Sequence, residues 1–253
     1  MEFMLDFGEL RVLMEEKLRG TEWGTSKYFD GVWMEGLRVK AFSMLGPRVG
    51  WKVLDIGCGD GWSTIQNALV YSQVFFLGID LYEAEDARDN AKLFGLCNCD
   101  FIEGDIFAMN FRETFDAVML YFSLGNICSG KEEICKLLRR IRGFLKRRGK
   151  LLIVEPFQED FREIDKLDRV YKISGIKGVG EEKETILSLN DVINCLITLD
   201  FHVAKNVKYE FSWRVSEKEF LEYFGLSKLP FKLSEYYYRD KPKTATIVVA
   251  FKR

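Results

Sequence analysis

Three acidic residues each stand near the end of a short apolar run, at positions where a ligand would meet the chain. Asp55 lies in VLDIGCGDGW (53–62), and Gly57, Gly59 and Gly61 follow it at alternate positions. Glycines allow positive φ and let a ligand approach the backbone closely. A helix pattern starts just after them, and a helix N-terminus offers free N–H groups and partial positive charge. The acid before the loop suits a cationic ligand better than a pyrophosphate. A dinucleotide fingerprint needs a glycine where Trp62 stands, and the Gly-Lys-Ser/Thr of a phosphate loop is missing. Asp80, ending FLGID, is placed to accept hydrogen bonds from ribose hydroxyls. Asp105, in EGDIF, is placed to accept one from an exocyclic amine, with Ile106 packing on the base. The bland alternatives are a strand-to-helix turn, a helix cap and a solvated strand end.

These positions need a sheet to hold them. VLDI (53–56), VFFLGI (74–79), DFIEG (100–104), FDAVMLY (115–121) and LLIVE (151–155) read as buried strands. Segments of helical length separate them. In 131–145, Ile134, Leu137, Leu138, Ile141, Phe144 and Leu145 recur at three and four residue spacing. Strands alternating with helices predict a parallel sheet covered on both faces. A helix over 190–199, with Ser188 or Asn190 as N-cap, then leads to strands at 201–211 and 244–251. Two helices, about 3–18 and 26–45, precede the first strand.

The three acid positions in order, Asp55-x-Gly57-x-Gly59-x-Gly61, Asp80 and Gly104-Asp105-Ile106, resemble the class I S-adenosylmethionine-dependent methyltransferases. FDAVMLYFSLGNI (115–127) is similar to their fourth-strand motif, and LLRRIRGFLKRRGKLLIVEP (137–156) to the helix, turn and strand beyond it. The likeness covers about 51–156 well and the tail more loosely. It implies a Rossmann-like α/β sheet of seven strands, order 3-2-1-4-5-7-6, with an antiparallel last strand, helices on both faces and a small cap. The whole chain, 1–253, is then one domain with cap elements at 1–45, 157–187 and 212–243. It also implies S-adenosylmethionine as cofactor, touched by Asp55, Gly57, Cys58, Gly59, Gly61, Trp62, Asp80, Leu81, Asp105, Ile106 and Tyr121. Tyr28, in an N-terminal helix that closes over the cofactor in this family, joins them.

The implied reaction is methyl transfer by displacement at the sulfonium, which needs position and desolvation more than a base. Tyr121 and Glu155, at the ends of strands four and five, are the candidate catalytic residues, as base or polar anchor. The segment after strand four lacks the proline of enzymes that methylate nucleic-acid or glutamine amino groups. Where many small-molecule members carry a His, Gly125-Asn126 stands. The single His, His202, starts a strand near its N-terminal end and reads as structural.

Composition narrows the partners. The chain has 253 residues, 37 Lys plus Arg against 39 Asp plus Glu, and a net charge of −2. That balance argues for a small-molecule acceptor over nucleic acid. An RNA or protein methyltransferase and a non-catalytic cofactor-binding module are the alternatives. The basic cluster of 139–150 falls at the sheet end opposite the ligand site and reads as a solvated face. One His and six Cys without C-x-x-C spacing argue against a metal site. The scattered cysteines suggest mostly buried thiols in a reducing cytoplasm. The start of the chain is not a signal peptide, and no apolar run reaches membrane-spanning length, so no membrane contact is expected. The aromatic-rich stretch 212–243 suits either an acceptor pocket or a homodimer interface.

Overall fold

The alternating runs form one seven-stranded sheet in a computed structural model, with the order β3-β2-β1-β4-β5-β7-β6. The structure describes residues 6–112, 114–160, 186–212, 221, 226–228 and 242–253. The strands are β1 (Lys52–Ile56), β2 (Phe75–Asp80), β3 (Cys99–Glu103), β4 (Phe115–Tyr121), β5 (Leu145–Glu155), β6 (Phe201–Ser212) and β7 (Pro242–Lys252). β1 to β5 run parallel, and β7 runs antiparallel to both β5 and β6. The architecture and strand order are those the family resemblance implies.

Side chains alternate across the pleat, and both faces are buried. Leu54 and Ile56 of β1 join Val118, Leu120, Leu151 and Ile153 on one face. There they meet α7 (Lys131–Phe144) and α8 (Leu189–Thr198). Val53 points to the other face, with Phe76, Met119 and Leu152, under α3 (Leu37–Ser43). Asp55 shares that second face, which carries it toward α4 (Trp62–Val70). A third cluster joins α4 and α5 (Ala84–Leu93) to α1 (Phe7–Leu18) and α2 (Ser26–Trp33).

The structure departs from the sequence reading in four places. The single helix expected over 26–45 is broken. Met34, Glu35 and Gly36 all have positive φ (44°, 52° and 72°) and separate α2 from α3. No proline announces that break; Gly36 suits the left-handed conformation, and Met34 and Glu35 are strained there. β5 starts six residues before the expected 151, because Leu145 already pairs with Phe115. Ser188 takes the N-cap position of α8, yet Glu159 supplies the acceptor for the Leu189 N–H, 3.0 Å away. Finally, Cys135 and Cys195 are not thiols. They form a disulfide between α7 and α8, Cα atoms 5.2 Å apart and 60 residues apart in sequence. Side-by-side packing of those helices creates the pair, which spacing in the sequence does not show.

Most of the expected cap elements 157–187 and 212–243 lie outside the described residues. No helix among the described residues is long and apolar enough to cross a membrane.

Candidate cofactor and active site

The site is assembled at the C-terminal tips of β1, β2 and β4. Asp55 is fully buried. Its Oδ2 accepts from Ser63 Oγ (2.5 Å) and Thr64 Oγ1 (2.7 Å), both in the first turn of α4. Its Oδ1 is buried and has no partner among the described residues. Burial pushes the carboxyl up to about 6, against the lowering effect of the two hydroxyls and of Arg38.

Arg38 of α3 is the unexpected neighbour. It is buried, and Nη1 donates to the carbonyls of Val32 (2.6 Å) and Gly31 (3.2 Å). Burial lowers its pKa, and Asp60, Tyr121 and Asp55 work in the opposite direction. Asp60, in the glycine loop, is raised by burial and eased by the same guanidinium. Gln66 of α4 also reaches Val32, its Nε2 donating over 2.5 Å. A buried cation, a buried anion with one free acceptor and a half-buried second anion therefore sit under one loop. Sequence reading missed Arg38, Asp60 and Gln66. The available signal was Arg38 standing four residues before Phe42, on the apolar stripe of its helix.

The glycines are demanded by the protein as well as by any ligand. A Cβ at Gly57 (φ 67°) would lie 2.6 Å from the Ser123 Cβ, and one at Gly61 (φ 90°) 2.9 Å from the Ala87 Cβ. Ser123 is itself fixed, its Oγ donating to the Ile56 carbonyl over 2.8 Å. Cys58 and Trp62 are buried. The Cys58 thiol is pushed well up by burial and by Asp55 and Asp80. The Trp62 ring meets Trp23 edge-on at 5.4 Å.

Asp80 closes the loop. Its Oδ2 accepts from the Gly59 N–H (2.9 Å), and its Oδ1 from Tyr82 (3.1 Å) and Glu83 (3.2 Å). Leu81 and Tyr82 beside it are exposed. Glu83, raised by burial and by Asp80, lies against Gly59. Asp105 is exposed and accepts from the Phe107 N–H over 2.7 Å. Ile106, expected to pack on a base, is buried and packs with the core cluster.

The two catalytic candidates are both engaged. The Tyr121 hydroxyl donates to the Arg38 carbonyl over 2.6 Å, and the residue is buried. Burial, with Asp55 second, pushes the phenol well above its ordinary value. Glu155 is buried, and its Oε2 accepts from the Leu124 N–H over 3.0 Å, at the start of α6 (Leu124–Ile127). Tyr28 lies on α2, and its side chain falls outside the described residues. His202 is exposed at the start of β6, far from the loop in register.

Sheet order, glycine loop and acids at successive strand tips define a Rossmann-like methyltransferase fold. The methyltransferase-domain family matches residues 47–209, more than half of the chain, and the chain belongs to it. S-adenosylmethionine is the cofactor that membership brings. A ribosomal protein L11 methyltransferase from Caldanaerobacter subterraneus is 30% identical over 134 residues, 52% of this chain and 40% of that protein. A demethylmenaquinone methyltransferase from Tropheryma whipplei is 30% identical over 134 residues, 53% of each. The chain spans less than two thirds of the length of these relatives. Among solved structures, the YcgJ protein of Bacillus subtilis superposes with a TM-score of 0.65 at 15% identity, covering 87% of this chain and 99% of its own. A methyltransferase from Methanosarcina mazei gives 0.58 at 16%, covering 83% and 96%.

The residues fit the cofactor. Its amino-acid end carries an ammonium and a carboxylate. The buried acceptor left open on Asp55 and the buried Arg38 cation offer one opposite charge to each.

Proposed function

We propose that the chain transfers a methyl group from S-adenosylmethionine to a small-molecule acceptor. The observation that carries the reading is the Asp55–Arg38 arrangement beneath the glycine loop. An unpaired acceptor on a fully buried carboxylate costs free energy unless a donor arrives. Asp55 would hold the ammonium, Arg38 the carboxylate, Asp80 the ribose hydroxyls and Asp105 the exocyclic amine. Tyr28 and Leu81 complete the proposed contacts. The cofactor supplies a methyl group already activated by its sulfonium.

The chain then supplies position. Ser123 locks the tip of β4 against that of β1. Tyr121 holds the helix that carries Arg38. Glu155 caps α6, which follows β4 into the site. In this reading Tyr121 and Glu155 are positioning residues. A phenol held well above its ordinary value, with its proton given to a carbonyl, is a poor base at neutral pH. Displacement at a sulfonium calls for a base only when the acceptor must lose a proton.

A small acceptor is supported by the net charge of −2 and by the similarity to a quinone methyltransferase. The equal identity to a ribosomal-protein methyltransferase favours a protein acceptor as the second reading. Incubation with methyl-labelled cofactor and fractionated cell extract separates them. Label in the low-mass fraction supports the proposal, and label in protein or RNA overturns it. Tight cofactor binding without any labelled product indicates a binding module.

A further inference from the structure

The end of the sheet opposite the glycine loop gathers cations from distant parts of the chain. β5 brings four of them. Its pairing with β4 jumps from Phe115–Leu145 to Ala117–Lys150, so residues 146–149 stand outside the ladder as a basic bulge. Lys146 is held by Asp116 at 2.8 Å. Arg147 and Arg148 are exposed, and neither has an ion-pair partner among the described residues. Arg148 has a φ of 60°, a left-handed conformation that strains an arginine. Arg48 and Lys52 arrive from the start of β1, and Lys252 and Arg253 from the end of β7.

These cations are crowded at a cost. Lys150 is lowered from its ordinary value by burial and then by Arg48, and Lys252 by burial and then by Arg142. A chain with two more acids than bases has no compositional need to cluster them. The rim also interleaves rings with charges. The Lys150 ammonium lies 5.1 Å over the Trp51 ring and 5.6 Å over the Phe251 ring. The His202 ring stacks on Phe251 at 6.2 Å and 13°. Phe75, paired with Lys52, is exposed at the first position of β2. Strands lie about 4.8 Å apart, so from β2 to β6 this track spans about 24 Å.

We propose that this rim is a second binding surface and that its ligand is a single-stranded nucleic acid. Alternating cations and ring faces match a chain that alternates phosphates with stackable bases. An anionic membrane would favour protruding apolar side chains, and here Trp51 and Phe251 are half-buried among lysines. β1 and β4 separate the rim from the glycine loop by five to seven residues, about 20 Å. The rim is therefore a surface separate from the methyl-transfer site, and the proposal stands apart from the acceptor's identity.

The test is fluorescence anisotropy of the full chain with a labelled 20-nucleotide single-stranded RNA. Contact with four phosphates predicts about 50-fold weaker binding between 50 and 200 mM salt. The double variant Arg147→Ser with Arg148→Gly should weaken binding about tenfold or more. Glycine suits the left-handed position, so melting temperature and S-adenosylhomocysteine affinity should hold. Arg147→Ala alone serves if the double variant fails to fold, with a loss of about threefold or more expected. Absence of RNA binding at 50 mM salt, or wild-type affinity in the folded variant, overturns the proposal. So does equal competition by phosphatidylserine-containing vesicles, which would make the rim a membrane surface.

Discussion

The Tyr121 hydroxyl donates to the backbone carbonyl of Arg38 over 2.6 Å, joining residues 83 positions apart. It ties the tip of β4 to the N-terminal helix that carries the buried guanidinium. Tyr121→Phe should therefore lower stability by about 1–2 kcal/mol, because a buried carbonyl loses its donor. Melting should fall and cofactor affinity should weaken, while turnover at saturation stays within about tenfold and the pH–rate profile keeps its shape. A loss of about a thousandfold in kcat at unchanged cofactor affinity would instead make Tyr121 the base.

Glu155 gives a contrasting expectation. Glu155→Gln keeps an oxygen that can accept from Leu124, and Glu155→Ala does not. The glutamine variant should retain most activity. The alanine variant should lose both stability and turnover, by about 1–3 kcal/mol in the former. Steady-state kinetics and thermal melting of the pair check this, and equal inactivation by both would assign Glu155 a proton-transfer role.

Asp55 sets a pH dependence. Folding raises it from an ordinary 3.8 to about 6. Between those values the folded chain keeps a proton that the unfolded chain has released, so stability falls as pH rises through 4 to 6. The total is about 3 kcal/mol, and stability levels off above pH 6. A bound ammonium favours the carboxylate, so cofactor affinity should rise with pH over the same window. Calorimetry at pH 5.5 in buffers of different ionisation enthalpy should show proton release on binding. No proton release would separate Asp55 from the ammonium.

The Cys135–Cys195 disulfide closes a 60-residue loop and should contribute up to about 4 kcal/mol. A reductant, or Cys135→Ser, should lower the melting temperature clearly. Mass analysis under non-reducing conditions should show one bond and four alkylatable thiols after unfolding.

The architecture was readable because buried parallel strands write themselves as apolar runs, and because the run VLDIGCGDGW combines a strand end, an acid and three spaced glycines. Strand order came from the family resemblance those residues carry. The proposed cofactor acids Asp55 and Asp80 were legible because each stands at or near the end of an apolar run that reads as a strand. Arg38 was not, because its proposed role depends on the break at Met34–Gly36, where Met34 and Glu35 give no signal and Gly36 alone does not fix the geometry. The disulfide required knowing which helices pack side by side.

Cofactor binding at the tips of β1 and β2 is the central claim, and one titration addresses it. S-adenosylhomocysteine titrated calorimetrically into wild-type protein should bind, with NAD as the comparison that should not. Asp80→Ala should weaken that binding tenfold or more, about 1.4 kcal/mol, in a variant whose melting confirms that it is folded. Affinity unchanged in folded Asp80→Ala, or a preference for NAD, would contradict the account.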